Sequence, residues 1–272
     1  MRRELSELGA VPPVPGLAFG VDPFRAELYS LRQARIHEIA RDIQDMAAHA
    51  ESGGRRLSVL EIGVEYGLLK KHLDVWPAAR NVDFYGADIN RDTANTVRDW
   101  AGFWIGDLCD GYPDIPSQSF DVIVCDQVLE HLTTLDKALH TLERLLRPGG
   151  ILCVGVPIFP HGFHLLRGPL VALADRLHPK PRGHVQTFSH RSFRQLIRTC
   201  TTLEILSSRG FRIVSGGILR PLENYRAWWR FNRWLGRRVP GLCIEVQIIA
   251  RRSTAGASPD RLSAAASWPP GH

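Results

Sequence analysis

Lysine is almost missing from this chain. Lys70, Lys71, Lys137 and Lys180 are the only four in 272 residues, so the net charge of +6 rests on arginine. Such a skew follows from genome composition as readily as from a polyanionic partner. No basic recognition helix or RNA-binding motif accompanies it, so nucleic-acid binding is not expected. Cysteine is sparse and scattered: Cys109, Cys125, Cys153, Cys200 and Cys243 form no Cys-x-x-Cys pair. That argues against a disulfide framework and against a structural zinc, and no metal is expected. Cys125, Cys153 and Cys243 lie inside apolar runs, where a thiol behaves as a small hydrophobe. No apolar run reaches eighteen residues, so no spanning helix is expected. The two N-terminal arginines are not followed by the apolar stretch of a signal peptide. The expected compartment is the cytosol, with peripheral membrane contact left open by residues 220–238.

What is present is a regular alternation. Residues 1–23, with Pro12, Pro13, Pro15 and Pro23, read as a flexible arm, and 24–252 as one domain. Tyr29, Ile36, Ile39, Ile43 and Met46 recur at helical spacing, so 24–55 is expected to be a helical extension closed by Gly53-Gly54. Leu57–Ile62, Val82–Ala87, Phe103–Ile105, Phe120–Cys125 and Ile151–Val156 read as short buried strands. Leu135, Leu139, Leu142 and Leu146 mark an amphipathic helix stopped by Pro148-Gly149-Gly150. Ser189–Arg198 reads as a further helix, and Leu203–Leu206, Phe211–Val214 and Leu242–Ala250 as strands. Buried strands alternating with helices predict a Rossmann-like, doubly wound α/β fold. Residues 157–188 hold five prolines and little periodicity, as expected of a lid. Residues 253–272 are rich in Ala, Ser and Pro and are expected to be disordered. There is no internal repeat.

Four elements carry chemistry. Val59-Leu-Glu-Ile-Gly-Val-Glu-Tyr-Gly67 is a strand, a glycine turn and a helix start, which brings backbone close to a ligand and aims helix N–H groups at it. Tyr85-Gly-Ala-Asp88-Ile89 ends the next strand with an acid able to accept hydrogen bonds from ribose hydroxyls. Ile105-Gly-Asp107-Leu108 ends the third strand. Ser119-Phe-Asp-Val-Ile-Val-Cys-Asp-Gln-Val-Leu-Glu-His-Leu132 and Leu145-Leu-Arg-Pro-Gly-Gly-Ile-Leu152 form the fourth.

In this order the elements resemble the class I S-adenosylmethionine-dependent methyltransferases, in particular the broad small-molecule group that includes quinone-biosynthesis, lipid and sugar methyltransferases. The resemblance runs from about Leu57 to Val156, with a weaker continuation from Gly183 to Phe211. It implies a mostly parallel seven-stranded sheet with helices on both faces, and S-adenosyl-L-methionine as cofactor. It places Glu61, Gly63 and Gly67 in the first motif, with Glu65 where the family carries its middle glycine. Asp88 and Ile89 fall at the ribose, Asp107 and Leu108 at the adenine, Asp126 and Gln127 under the methionine end. His184 and His131 are the candidate bases for a hydroxyl acceptor.

The implied acceptor is a small molecule, lipid or glycan, methylated at oxygen. Because no Asn-Pro-Pro-Tyr element appears, amino-directed methylation of DNA or protein is not expected. Two other readings stay open. One is an inactive binding protein on the same fold, because of Glu65. The other is a nicotinamide-dependent oxidoreductase, which the Gly63-x-x-x-Gly67 spacing disfavours. Arg220–Arg238 reads as a basic, aromatic cap. Tyr225, Trp228, Trp229 and Leu235 would form its apolar surface, flanked by Arg226, Arg230, Arg233 and Arg237. It would serve as an interfacial helix on anionic lipid or pack on the sheet with snorkelling arginines.

Overall fold

The computed structural model describes residues 21–22, 25–29, 34–74, 76–95, 99–158, 185–213, 222 and 226–254. The arm up to residue 20, most of the expected lid (159–184, with His184) and the tail from 255 lie outside the described residues.

Seven strands form one sheet: β3 (Leu57–Ile62), β4 (Val82–Asp88), β5 (Gly102–Ile105), β6 (Phe120–Asp126), β7 (Leu146–Pro157), β8 (Glu204–Phe211) and β9 (Glu245–Arg251). Their order is β5-β4-β3-β6-β7-β9-β8. Every pairing is parallel except those of β9, which runs antiparallel between β7 and β8. The chain begins β3 in the middle, winds outward through β4 and β5, then returns to β6 on the other side of β3. This reversal opens a crevice at the carboxyl ends of β3 and β6, where ligands of such sheets bind.

Two apolar cores flank the sheet. On one face lie α3 (Leu135–Leu145) and α4 (His190–Cys200), whose Leu139, Leu142, Phe193 and Ile197 are fully buried. Each such side chain contributes about 1.5–3 kcal/mol. On the other face α1 (Ala34–Ser52) and the short α2 (Leu68–Leu73) bury Ile39, Ile43, Met46, Leu69 and Leu73. Ser189 starts α4 with a reciprocal capping box to Ser192, which satisfies two otherwise orphaned donors.

Two expectations need correction. Arg25–Tyr29 is not helical: it is strand β2, paired with Val21–Asp22 (β1) in a small antiparallel hairpin, and α1 starts at Ala34. In place of the two strands expected at Leu203–Leu206 and Phe211–Val214 there is one, β8, which runs from Glu204 to Phe211; Arg212 and Ile213 follow it outside the sheet, and Val214 lies outside the described residues. The polar Ser207-Ser208-Arg209 between them hides its continuity, and Arg209 is buried for an electrostatic reason.

Arg209 extends beneath α1, where it pairs with Asp42 at 2.5 Å and Glu38 at 3.6 Å. The last helix, α5 (Arg226–Arg238), adds Arg233 at 2.7 Å and Arg237 at 3.1 Å from Glu38. Glu38, Asp42, Arg209 and Arg233 are all buried. Burial alone would raise the pKa of Glu38, yet Arg233, Arg209, Arg41 and Arg237 together hold it well below the ordinary range. Arg233 also lies 4.3 Å from the Phe211 ring centre, which favours a cation over the aromatic face. Arg233 is therefore part of the interior rather than a snorkelling surface group.

Removing one partner of a buried pair strands the other charge and costs ~3–5 kcal/mol. Arg209→Ala is accordingly expected to lower the Tm by roughly 10 °C. Arg56→Ala, which breaks an exposed pair with Asp83, should cost about 1 kcal/mol or less. Calorimetry on both variants checks this. Equal, small losses would show that the cluster does not anchor α1.

Candidate functional site

A cavity of about 590 Å³ opens at the carboxyl ends of β3, β4, β5 and β6. Its walls come from the turns that follow these strands and from the start of α1. The sequence candidates Glu61, Gly63, Asp88, Ile89, Asp107, Leu108, Asp126, Gln127 and His131 all line it. Gly67 does not: it sits behind the turn, capping α2 at a φ of 63°.

The first turn is held by backbone. Gly63 has a φ of 76°, and its N–H donates to the carbonyl of Ala87. A Cβ here would overlap Val128 Cγ2, so the protein itself already excludes a side chain at Gly63. Glu65 also has a positive φ, 52°, and its N–H donates to Asp88 Oδ2 at 3.2 Å. The Glu65 side chain is exposed at the cavity rim.

Three carboxylates end adjacent strands. Glu61, one residue before the end of β3, is buried, with Oε2 lacking a protein partner. Burial, then Asp126 and Asp88, push its carboxyl well above the ordinary range. Asp88 accepts the N–H of Asn90 at Oδ1 and that of Glu65 at Oδ2. A carboxylate has about four lone-pair sites, so acceptor capacity remains for a ligand. Asp126 Oδ2 accepts from Arg35 at 2.6 Å, and its Oδ1 from the Gln247 amide at 3.3 Å. Beyond them, Asp107 caps the turn at Leu108–Asp110 by accepting the Cys109 N–H. Gln127 sits at a φ of 61°, its Nε2 buried without a protein partner.

Three lining residues escaped the sequence analysis. Arg35, at the start of α1, brings the cavity a guanidinium by tertiary contact only, and no sequence signal pointed to it. Tyr112 closes the wall by donating its OH to the carbonyl of Gly106. Glu130 was in view, inside the Leu-Glu-His element, but His131 drew the catalytic reading. Glu130 is 1% exposed, and its Oε2 has no protein partner. Burial is the largest cause raising its carboxyl to about 7. His131 stands beside it, Nε2 4.0 Å from Glu130 Oε1, and is 46% exposed. The Glu130 carbonyl accepts the N–H groups of Val185 and Gln186. The last residues of the expected lid thus return to the cavity rim.

Comparison with known proteins now bears on this geometry. Residues 31–200 match the model of a family described as a methyltransferase domain. The chain is a methyltransferase of that family. It belongs to the class I S-adenosylmethionine-dependent superfamily, and S-adenosylmethionine is its methyl donor. No curated protein matches the chain. Solved structures share the fold. A protein assigned as a methyltransferase from Bacillus halodurans C-125 is 13% identical, with a TM-score of 0.52 over 73% of this chain and 94% of that one. A chain from the Haloferax volcanii complex of the Trm112 methyltransferase activator with its methyltransferase partner is 14% identical. Its TM-score is 0.50 over 80% of this chain and 94% of that one.

The residues present fit the cofactor. Among the described residues, six carboxylates line the cavity (Glu61, Glu65, Asp88, Asp107, Asp126 and Glu130) against one arginine, Arg35. S-adenosylmethionine carries a sulfonium and an ammonium against a single carboxylate, so the charges are complementary. The buried, unpartnered oxygens of Glu61 and Glu130 and the Gln127 amide offer it further hydrogen bonds.

Gly63→Ala puts a Cβ into Val128 and a non-glycine residue at a positive φ, at a cost of about 1–3 kcal/mol. It should lower the Tm by several degrees and weaken S-adenosylhomocysteine binding. Adding Val128→Ala relieves only the overlap. The double variant should therefore lie closer in Tm to Val128→Ala alone than Gly63→Ala lies to the wild type. Strict additivity of the two losses would contradict the contact.

Proposed function

We propose that this methyltransferase transfers a methyl group to oxygen on a small-molecule, lipid or glycan acceptor, met in solution or at an anionic membrane face. The observation that carries this reading is the carboxylate-lined cavity at the sheet reversal, with Glu130 poised beside His131. When bound, S-adenosylmethionine supplies a sulfonium methyl group that needs no further activation. What remains for the protein is to hold the acceptor in line and exclude water, which can supply ~7–11 kcal/mol of the barrier.

In this reading Asp88 receives the ribose hydroxyls, while Asp107 meets the adenine amino group, with Ile89 and Leu108 on the ring faces. Glu61, Gly63, Asp126 and Gln127 hold the methionine end, and Arg35 offsets part of the local negative charge. Glu130 would take the acceptor's hydroxyl proton as the methyl leaves sulfur for that oxygen, the S–C bond breaking to release S-adenosylhomocysteine, since a base works best with a pKa near the working pH. His131 passes that proton toward solvent. His184, outside the described residues, stays a second candidate base. The exposed side chain of Glu65 leaves the cavity open, which favours an active enzyme over an inactive binding protein. A nicotinamide dinucleotide, with two phosphate charges, would meet six carboxylates, which disfavours an oxidoreductase.

Asp88→Asn keeps size but gives up one acceptor oxygen. A hydrogen bond to a charged group is worth ~1.5–3 kcal/mol, so affinity for S-adenosylhomocysteine should fall roughly tenfold to a hundredfold, and the Tm should drop by a few degrees because the N–H of Asn90 or of Glu65 loses its acceptor. A loss of less than about threefold would remove Asp88 from the ribose.

Glu130 adds a pH test. Its folded-state value of about 7 lies above the ordinary 4.5, so the folded ligand-free protein binds the extra proton between those limits. Its contribution to stability is therefore full below the lower value and declines as pH rises toward 7. Glu130→Gln should flatten this part of the Tm–pH curve. An unchanged slope would show that Glu130 does not titrate there.

A further inference from the structure

We propose that the outward face of α5 docks on an anionic lipid surface and holds the cavity beside it. The helix is fixed to the protein by its underside. Asn232, Arg233 and Gly236 are buried, and a Cβ on Gly236 would overlap the carbonyl oxygen of Gly210 in β8. At 100° per residue the opposite side carries Ala227, Arg230, Phe231, Trp234 and Arg238. Phe231 is 43% and Trp234 52% exposed, large values for such rings, and they stack with centres 6.1 Å apart. The Arg238 guanidinium lies over the Trp234 ring at 4.5 Å, and Arg230 is exposed beside Phe231. No acidic residue occurs anywhere in Arg226–Arg238.

This face differs from the one expected from sequence, in which Arg233 was to flank Trp228 and Leu235. Arg233 instead belongs to the interior, and among the described side chains the outward aromatics are Phe231 and Trp234. Exposed rings among arginines suit the boundary between headgroups and acyl chains, where apolar burial and attraction to anionic lipid add. A second copy of the chain is a poorer occupant, because a symmetric contact would set these arginines against their own counterparts.

The placement also serves the cavity. Arg237 reaches Glu38 on α1, and Arg35, on the same first turn of that helix, lines the cavity. A lipid surface against α5 would lie one helix away from the site. The docking itself does not depend on the acceptor's being a lipid.

Co-sedimentation with vesicles tests the proposal on the full chain. The wild type should pellet with phosphatidylglycerol-containing vesicles at low salt, stay in solution with pure phosphatidylcholine, and be released by high salt. Arg230→Gln with Arg238→Gln should weaken vesicle affinity about thirtyfold, from about fivefold for each arginine at a charged surface. Phe231→Ser with Trp234→Ser should abolish pelleting while Tm and S-adenosylhomocysteine affinity stay at wild-type values. Wild type that stays in the supernatant overturns the proposal, whatever the variants do. So does an aromatic variant that pellets like the wild type, or one that instead dissolves a dimer seen by light scattering. Unchanged S-adenosylhomocysteine binding in those cases would leave the methyltransferase site standing.

Discussion

The pair between Arg35 and Asp126, 2.6 Å apart and mostly buried, is the contact on which the cavity's geometry depends. Asp126 ends the strand on one side of the sheet reversal, and Arg35 begins the helix that crosses it. Gly155 in the neighbouring strand makes the pairing feasible, because a Cβ there would overlap Asp126 Oδ1. Glu245 lies 3.7 Å from Arg35 and 2.7 Å from Arg212. Further along α1, Glu38 and Asp42 reach Arg209 and Arg233. Helix α1 is thus held by charges along one strip and by Ile39, Ile43 and Met46 along the adjacent one. Buried pairs add little net stability compared with apolar packing, but they penalise any other placement of the helix.

That arrangement shapes the chemistry. Glu61, Asp88 and Asp126 crowd one edge, and Arg35 compensates only the last of them directly. Burial first, and the neighbouring Asp126 after it, make Glu61 and Glu130 hold their protons more tightly than isolated carboxyls. A cationic ligand reverses this balance, since it stabilises the charged carboxylates that burial disfavours. An anionic ligand makes it worse. Selection of a sulfonium cofactor over a dinucleotide therefore follows from the charge of the walls as well as from the shape of the glycine turn.

The central sheet was legible because its strands are buried on both faces and read as short apolar runs between turn residues. The carboxylates ending β3, β4, β5 and β6 were legible because their positions follow the strand ends. What stayed hidden depends on contacts between distant parts of the chain. Arg209 broke an apolar pattern and split β8 in two, though its partner Asp42 lies 167 positions earlier (209 less 42). Arg233 looked like one of several surface arginines until Glu38 was found against it. Tyr29 fell seven residues before Ile36 and so fitted a helical stripe, yet its neighbours pair as a strand. Glu130 stands within its motif, but burial, which sets its proton affinity, is a property of the fold.

The most direct test of the account is calorimetric titration of the unmodified protein with S-adenosylmethionine, S-adenosylhomocysteine and NAD at neutral pH. The account predicts saturable one-site binding of the first two and no measurable heat from NAD. Binding of NAD, or no binding of either adenosyl compound by the folded protein, would contradict it.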